Sequence, residues 1–184
     1  MIYRLLFIWF LFSSIGISHS NDDPWEIIDN AAKATKLLNY KGIFHSQHHK
    51  EIKSIEITHA TNNGQEFIKM NVLDGSPGEV LSQGKTIYVY STIENNVIIQ
   101  KRKQQRLFPA IFPNNIDSLK SFYRLNIGKS ERIAGRLSQL VVLNPIDGFR
   151  YSYYFWIDKK TSLPLKMVVM NQAKNIIEQA SLLK

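Results

Sequence analysis

Four of the five histidines, His45, His48, His49 and His59, fall within fifteen residues of one another, and imidazole is a common ligand for zinc, copper and nickel. If the segment beginning at Ile43 pairs with the one beginning at Ile52, His45 and His59 could approach across two strands. His48 and His49 would point to opposite faces of a strand, so at most one could join them. Solvent-facing histidines near a hairpin explain the same pattern, and no bound metal is expected. The carboxylates are scattered. Asp147 and Asp158 bracket a segment that, as a strand, holds them over about 30 Å apart, too far to flank one bond as paired carboxylates must. The chain has no Cys, and it shows no Gly-x-Ser-x-Gly elbow, Gly-rich phosphate loop or His-Glu-x-x-His pair. Neither an enzyme nor a cofactor is expected.

The aromatic residues suggest binding instead. In the run from Asp147 to Asp158, Tyr151, Tyr153, Phe155 and Ile157 recur at a period of two, and Leu163, Leu165, Met167 and Val169 repeat the pattern in the next run. Between them lies the polar stretch Lys159 to Ser162, so the two runs predict a β-hairpin with one apolar face to bury. Such rings are often plain core. Where that face is left unfilled it suits an acyl chain, and the candidate lining is Ile55, Ile57, Tyr88, Tyr90, Tyr151, Tyr153, Phe155 and Met167.

The remaining elements must cover that face. Asp23-Pro24-Trp25-Glu26 has the pattern of a helix start, with Asp23 placed to cap the Glu26 amide. Ile27, Ala31, Ala34 and Leu38 then form one apolar stripe, widened by Trp25 and Ile28, that ends near Asn39 and Gly42. From Gly42 to Lys101 short alternating runs predict an antiparallel meander, with a tight hairpin turn at Asn62-Asn63-Gly64. Ile55 and Ile57 share one face of the second run and Ser54, Glu56 and Thr58 the other, so one side of the sheet should be wet. The basic run Lys101 to Arg106 and the apolar run Leu107 to Pro113 could face lipid. The prolines favour a solvated loop leading into a short helix packed on the core. A short helix is expected at Asp117 to Tyr123, strands at Arg124 to Ile127, Glu131 to Ala134 and Gln139 to Leu143, and a last one at Ile176 to Glu178. The sum is an α+β domain, a strongly curved antiparallel sheet of about ten strands wrapped around its helices and leaving a concave apolar face.

Arg4 followed by the apolar Leu5 to Phe12, with small residues at Ser18 and Ser20, reads as a signal peptide over residues 1–20, cleaved after Ser20. The apolar run is too short for a membrane span. With no Cys there is no lipid-modified N-terminus and no disulfide. The mature chain, residues 21–184, is expected to be one domain outside the cytoplasm. The chain carries a net charge of +8; removing a leader whose one charged residue is Arg4 leaves 8 − 1 = +7. That balance favours acidic partners, among them lipopolysaccharide and acidic protein segments, and no nucleic-acid-binding pattern is present.

Several blocks together resemble the RseB/MucB family: Leu73-Asp-Gly-Ser-Pro-Gly-Glu-Val80, Leu119 to Tyr123, Glu131-Arg-Ile-Ala-Gly-Arg136, Asp147-Gly-Phe-Arg-Tyr-Ser-Tyr153, Trp156-Ile-Asp158 and Leu163-Pro-Leu-Lys166. The likeness runs in order from about Leu38 to Gln179. It implies a periplasmic negative regulator of the sigma-E envelope stress response that binds the periplasmic segment of the anti-sigma factor RseA/MucA and shields it from the site-1 protease. Lipopolysaccharide or an acylated lipoprotein would release that grip. The resemblance also implies a LolA/LolB-like N-terminal domain, a half-open β-barrel closed by helices, and no catalytic residues. The family's smaller C-terminal domain is expected to be absent, since the chain stops at Lys184. The alternative is a carrier of lipid or lipoprotein that uses the apolar face alone.

Overall fold

A computed structural model describes residues 23–48, 51–75, 77–84, 86–91, 96–101 and 108–183. The expected leader, His49 and the basic residues Arg102 to Arg106 lie outside the described residues. Helix α1 (Trp25–Leu37) is followed by strands β1 (Tyr40–His48), β2 (Glu51–Asn62), β3 (Gln65–Val72), β4 (Gly78–Gln83), β5 (Thr86–Ser91) and β6 (Asn96–Lys101). A short helix α2 (Asp117–Lys120) leads into β7 (Tyr123–Ile133), β8 (Arg136–Pro145), β9 (Ser152–Asp158), β10 (Pro164–Met170) and β11 (Ile176–Leu182).

The eleven strands among the described residues join one antiparallel sheet in the order β6-β5-β4-β3-β2-β1-β11-β10-β9-β8-β7. The two predicted meanders become one sheet because β11 inserts between β10 and β1, pairing Ala180 with both Met167 and Ser46. The expected wrapping into a half-open barrel is corrected: β6 and β7 are the two edges, and the sheet is neither closed nor strongly curled. Each edge ends the ladder where it stands. β7 is a poor template for further pairing, because its register shifts between Ile127 and Ser130 and it exposes Lys129, Glu131 and Arg132.

Several local expectations hold with adjustment. β2 and β3 are joined by Asn63 (φ 48°) and Gly64 (φ 76°), the doubly left-handed turn that an Asn-Gly pair tolerates. The outer face of this half is wet, with Lys41 bonded to Glu56 at 2.9 Å and Lys69 to Glu79 at 2.8 Å. The runs around Arg124 and Glu131 are one continuous strand, β7, not two, and the helix expected to reach Tyr123 stops at Lys120. The Asp23 carboxylate accepts from the Trp25 amide at 3.1 Å, while the Glu26 amide donates to the Asp23 carbonyl. The buried face of α1 is Ile28, Ala31, Ala32, Ala34 and Thr35; Ile28, Ala31 and Ala34 belong to the predicted stripe, Trp25 and Ile27 pack at its margin, and Leu38 remains partly exposed beyond the helix end.

The end of α1 is tied to the sheet by His59. This ring is buried, and its Nδ1–H donates to the Leu38 carbonyl at 2.7 Å, because a carbonyl can only accept. Nε2 lies 3.2 Å from a Glu66 carboxylate oxygen, and the imidazole stacks on Tyr40 at 4.7 Å. The expected approach of His45 and His59 is therefore corrected. Tyr40 is the register partner of His59 and His45 that of Ser54, so five residues, about 17 Å, separate them along the ladder. Replacing His59 by Phe keeps the stack but leaves the Leu38 carbonyl without its donor. A loss of about 2 kcal/mol is expected, read as a melting temperature lower by several degrees. An unchanged melting temperature would show that the helix end does not depend on this bond.

Candidate functional site

Two clusters of buried residues among those described lie on one face of the sheet. The larger gathers Ile28, Ala31 and Ala32 of α1 with Val141, Leu143, Phe155, Ile157, Met167 and Val169 of the sheet. The ladder dictates this gathering, since Phe155 pairs with Val141 and Met167, and Tyr153 with Leu143 and Val169, and directly paired residues share a face. The smaller is formed by Phe44, Ile57 and Ile68. Phe108 packs against both clusters. Its ring meets Phe44 edge-on at 5.2 Å, and four residues on, Phe112 lies against Phe155 at 4.9 Å. The segment beyond the basic run is thus a wedge on the sheet rather than a lipid-facing loop, and it divides the covered face in two.

On one side of the wedge is a cavity of about 660 Å³, within the size range of small-molecule sites. Its walls are Phe108, Ile111 and Phe112 of the wedge, Leu119 and Tyr123, and the sheet residues Leu143, Tyr153, Phe155, Met167, Val169 and Ile177, with Tyr151 and Glu178 adding polar groups. Tyr153 stacks on Phe155 at 6.1 Å and meets Tyr123 edge-on at 6.0 Å. Burial raises the pKa of the Tyr153 phenol, and the charges of Glu178 and Tyr151 raise it further. Burial, then Tyr153, raises that of Tyr123 against the opposing effect of Arg150. Both hydroxyls therefore stay protonated at neutral pH and can donate hydrogen bonds. On the other side of the wedge is a hollow of about 60 Å³ between Ile57, Ile68, Met70, Val80, Ile87 and Phe108.

The predicted lining residues divide accordingly. Tyr153, Phe155 and Met167 form the cavity wall, and Tyr151 lies just before β9, half exposed, at its margin. Ile57 lines the small hollow and Ile55 packs on the same cluster, so neither reaches the cavity. Tyr88 and Tyr90 are on the opposite face of the sheet. Ile87 and Ser82 are register partners that both line the hollow, and alternation along β5 turns its two tyrosines the other way. Sequence reasoning did not place Phe112, Leu119, Tyr123, Ile177 and Glu178 at the site. The four-residue spacing of Phe108 and Phe112 was a usable signal; for Ile177 and Glu178 there was none, because only the pairing of β11 brings them there.

The carboxylates that bracket β9 are used structurally. Asp147 pairs with Arg150 and accepts from the Phe149 amide, while Asp158 pairs with Arg136. No group of three or more His, Asp or Glu side chains suited to a metal occurs among the described residues.

Fold and cavity together define an open antiparallel sheet, one face of which carries a helix and an aromatic wedge, with a half-open apolar cavity between the wedge and the sheet. The chain belongs to the MucB/RseB N-terminal domain family, whose model matches residues 23–184. Among curated proteins it is similar to the sigma-E factor regulatory protein RseB of Salmonella typhimurium, 25% identical over an alignment covering 94% of this chain and 56% of that protein. It is also similar to the sigma factor AlgU regulatory protein MucB of Pseudomonas aeruginosa, 24% identical over 85% of this chain and 48% of that one. The chain thus spans about half the length of the curated relatives it matches. Among solved structures, the Pseudomonas aeruginosa MucA/MucB complex matches in fold with a TM-score of 0.73 at 22% identity, covering 88% of this chain and 56% of that one.

Proposed function

We propose that this chain is a periplasmic regulator of a sigma-E-type envelope stress response. It holds the periplasmic segment of an anti-sigma factor, shields it from site-1 proteolysis, and lets go when the acyl part of a lipopolysaccharide or acylated lipoprotein enters the cavity beside Phe112. Family membership over residues 23–184 carries the reading. It is supported by relatives named as sigma factor regulators and by the fold shared with MucB in its complex with MucA. The cavity supplies the lipid half of the argument: its walls are mostly hydrocarbon, and its polar groups are few and gathered at Tyr123, Tyr151, Tyr153 and Glu178. A lipid releases a partner only to the extent that it binds the partner-free state more tightly. The wedge from Phe108 to Phe112 is the element placed to differ between those states, because it forms the cavity wall.

The test is binding of the purified chain to the periplasmic segment of the anti-sigma factor from the same organism, followed by fluorescence anisotropy with and without lipopolysaccharide. Peptide binding that lipopolysaccharide weakens is the expected result. Lipid binding with no affinity for the peptide would favour the second reading, a lipid or lipoprotein carrier, for which the apolar cavity alone suffices. Extraction of a lipidated protein from vesicles would then be its measurable activity.

A further inference from the structure

The charges around the cavity are one-sided. Among the described residues that line it, Glu178 is the only one with a carboxyl group; the other polar side chains are the phenols of Tyr123, Tyr151 and Tyr153, and none of the described lining residues is Lys, Arg or His. Glu178 is half-buried on β11 and is the register partner of Val169, which itself lines the cavity, so its place on the covered face follows from the ladder. The guanidinium of Arg150, whose charge acts on the lining residue Tyr123, is already engaged. It pairs with Asp147 and lies over the Phe122 ring at 4.1 Å. A carboxylate head group entering this space would face Glu178 with no cation among the described wall residues to meet it, whereas an N–H donor or an ammonium would find a charge-assisted acceptor.

We propose that the cavity sorts amphiphiles by head group, accepting acyl or alkyl chains whose head brings a positive charge or an N–H donor to Glu178 and rejecting free fatty acid anions. This rests on the reading that the cavity takes an aliphatic chain. The neutral phenols add donors for ester, ether or hydroxyl oxygens, so uncharged heads rank between the two. The preference runs against the protein as a whole, whose net charge of +8 attracts anions. Selectivity for a cation therefore reports the cavity and not the surface.

The experiment is displacement of the neutral fluorescent probe N-phenyl-1-naphthylamine from the purified chain by dodecylammonium, dodecyl maltoside and dodecanoate, each below its micellar concentration. It is done at about pH 8, where an alkylammonium and a carboxylate are both charged and an ordinary imidazole is neutral. Dodecylammonium is expected to displace the probe at a concentration at least about tenfold lower than dodecanoate, with the maltoside between them. Glu178→Gln should bring the two charged ligands within about threefold of each other, and Glu178→Lys should reverse their order. The maltoside, whose affinity should hardly move in either variant, shows that the cavity is intact. Dodecanoate binding as tightly as dodecylammonium, or an unchanged ratio in Glu178→Gln, overturns the head-group proposal while leaving the aliphatic-chain reading in place. Failure of all three ligands to displace the probe overturns that reading, and the proposal with it.

Discussion

The chain carrying Phe155→Asp is expected not to fold. Phe155 is 2% exposed, its ring is held between Phe112 and Tyr153, and its register partners Val141 and Met167 are equally buried. Removing the ring alone, as in Phe155→Ala, is worth about 3–5 kcal/mol in a well-packed core. The aspartate adds an unpaired carboxylate where no donor waits, a further penalty of several kcal/mol or about that order. Against a total stability of about 5–15 kcal/mol for a domain of this kind, the sum removes most or all of it. Circular dichroism of the purified variant should show no cooperative thermal transition. Phe155→Leu should retain one and weaken binding of an aliphatic probe. A Phe155→Asp variant that melts like the parent would mean that β9 presents its other face to the core.

Loss of the Asp158 carboxylate should be the second largest effect. Asp158 closes the β9–β10 hairpin. It is 2% exposed, it pairs with Arg136, and it accepts from the Thr161 amide at 2.9 Å and the Thr161 hydroxyl at 2.5 Å. The chain then turns through Ser162 at φ 60°, with the Ser162 amide donating to the Asp158 carbonyl. Asp158→Ala would leave the turn amide and the guanidinium without this acceptor. The cost expected is about 3 kcal/mol, the low end for breaking a buried pair, because the Arg136 side chain is 41% exposed and can turn toward water. Burial alone would raise the Asp158 pKa, but the hydrogen bonds from Arg136 and Thr161 outweigh it and hold the pKa below its ordinary value of 3.8. A carboxyl group with a lowered folded-state pKa stabilises the fold fully above its unfolded value, and that stabilisation is lost as the pH falls through the folded value. The gap in urea midpoint between the parent and Asp158→Ala should therefore be full at neutral pH and shrink below about pH 4. A gap independent of pH would locate the loss in packing and not in the carboxylate.

The hairpin that carries both residues was legible because its periodicity is strong: alternating aromatic and aliphatic residues on both sides of a short polar turn leave little choice of register. The cavity was half legible. Tyr153, Phe155 and Met167 line it because a face-to-face hairpin must put them on one surface. Tyr88 and Tyr90 follow the same period in their own strand yet face away, because strands with two half-buried faces do not declare which one meets the core. Ile55 and Ile57 do face inward, but Phe108 stands between them and the cavity.

By itself the sequence determined the helix at the start of the described chain, nearly every strand and the Asn63-Gly64 turn, all of which depend on residues close together in the chain, and the family likeness, which depends on the order of short blocks along it. The tertiary structure decided what depends on contacts between distant segments. Ile176 to Leu182 is amphiphilic without a sharp period, and its place follows from the two ladders that receive it, β1 on one side and β10 on the other. That placement joins the meanders into one open sheet, carries Ile177 and Glu178 to the cavity, and lets the wedge of Phe108 and Phe112 settle across the face. Hydrophobic burial has no direction along the chain, so a local pattern states that a face will be covered, and only the assembled sheet determines what covers it and where space remains.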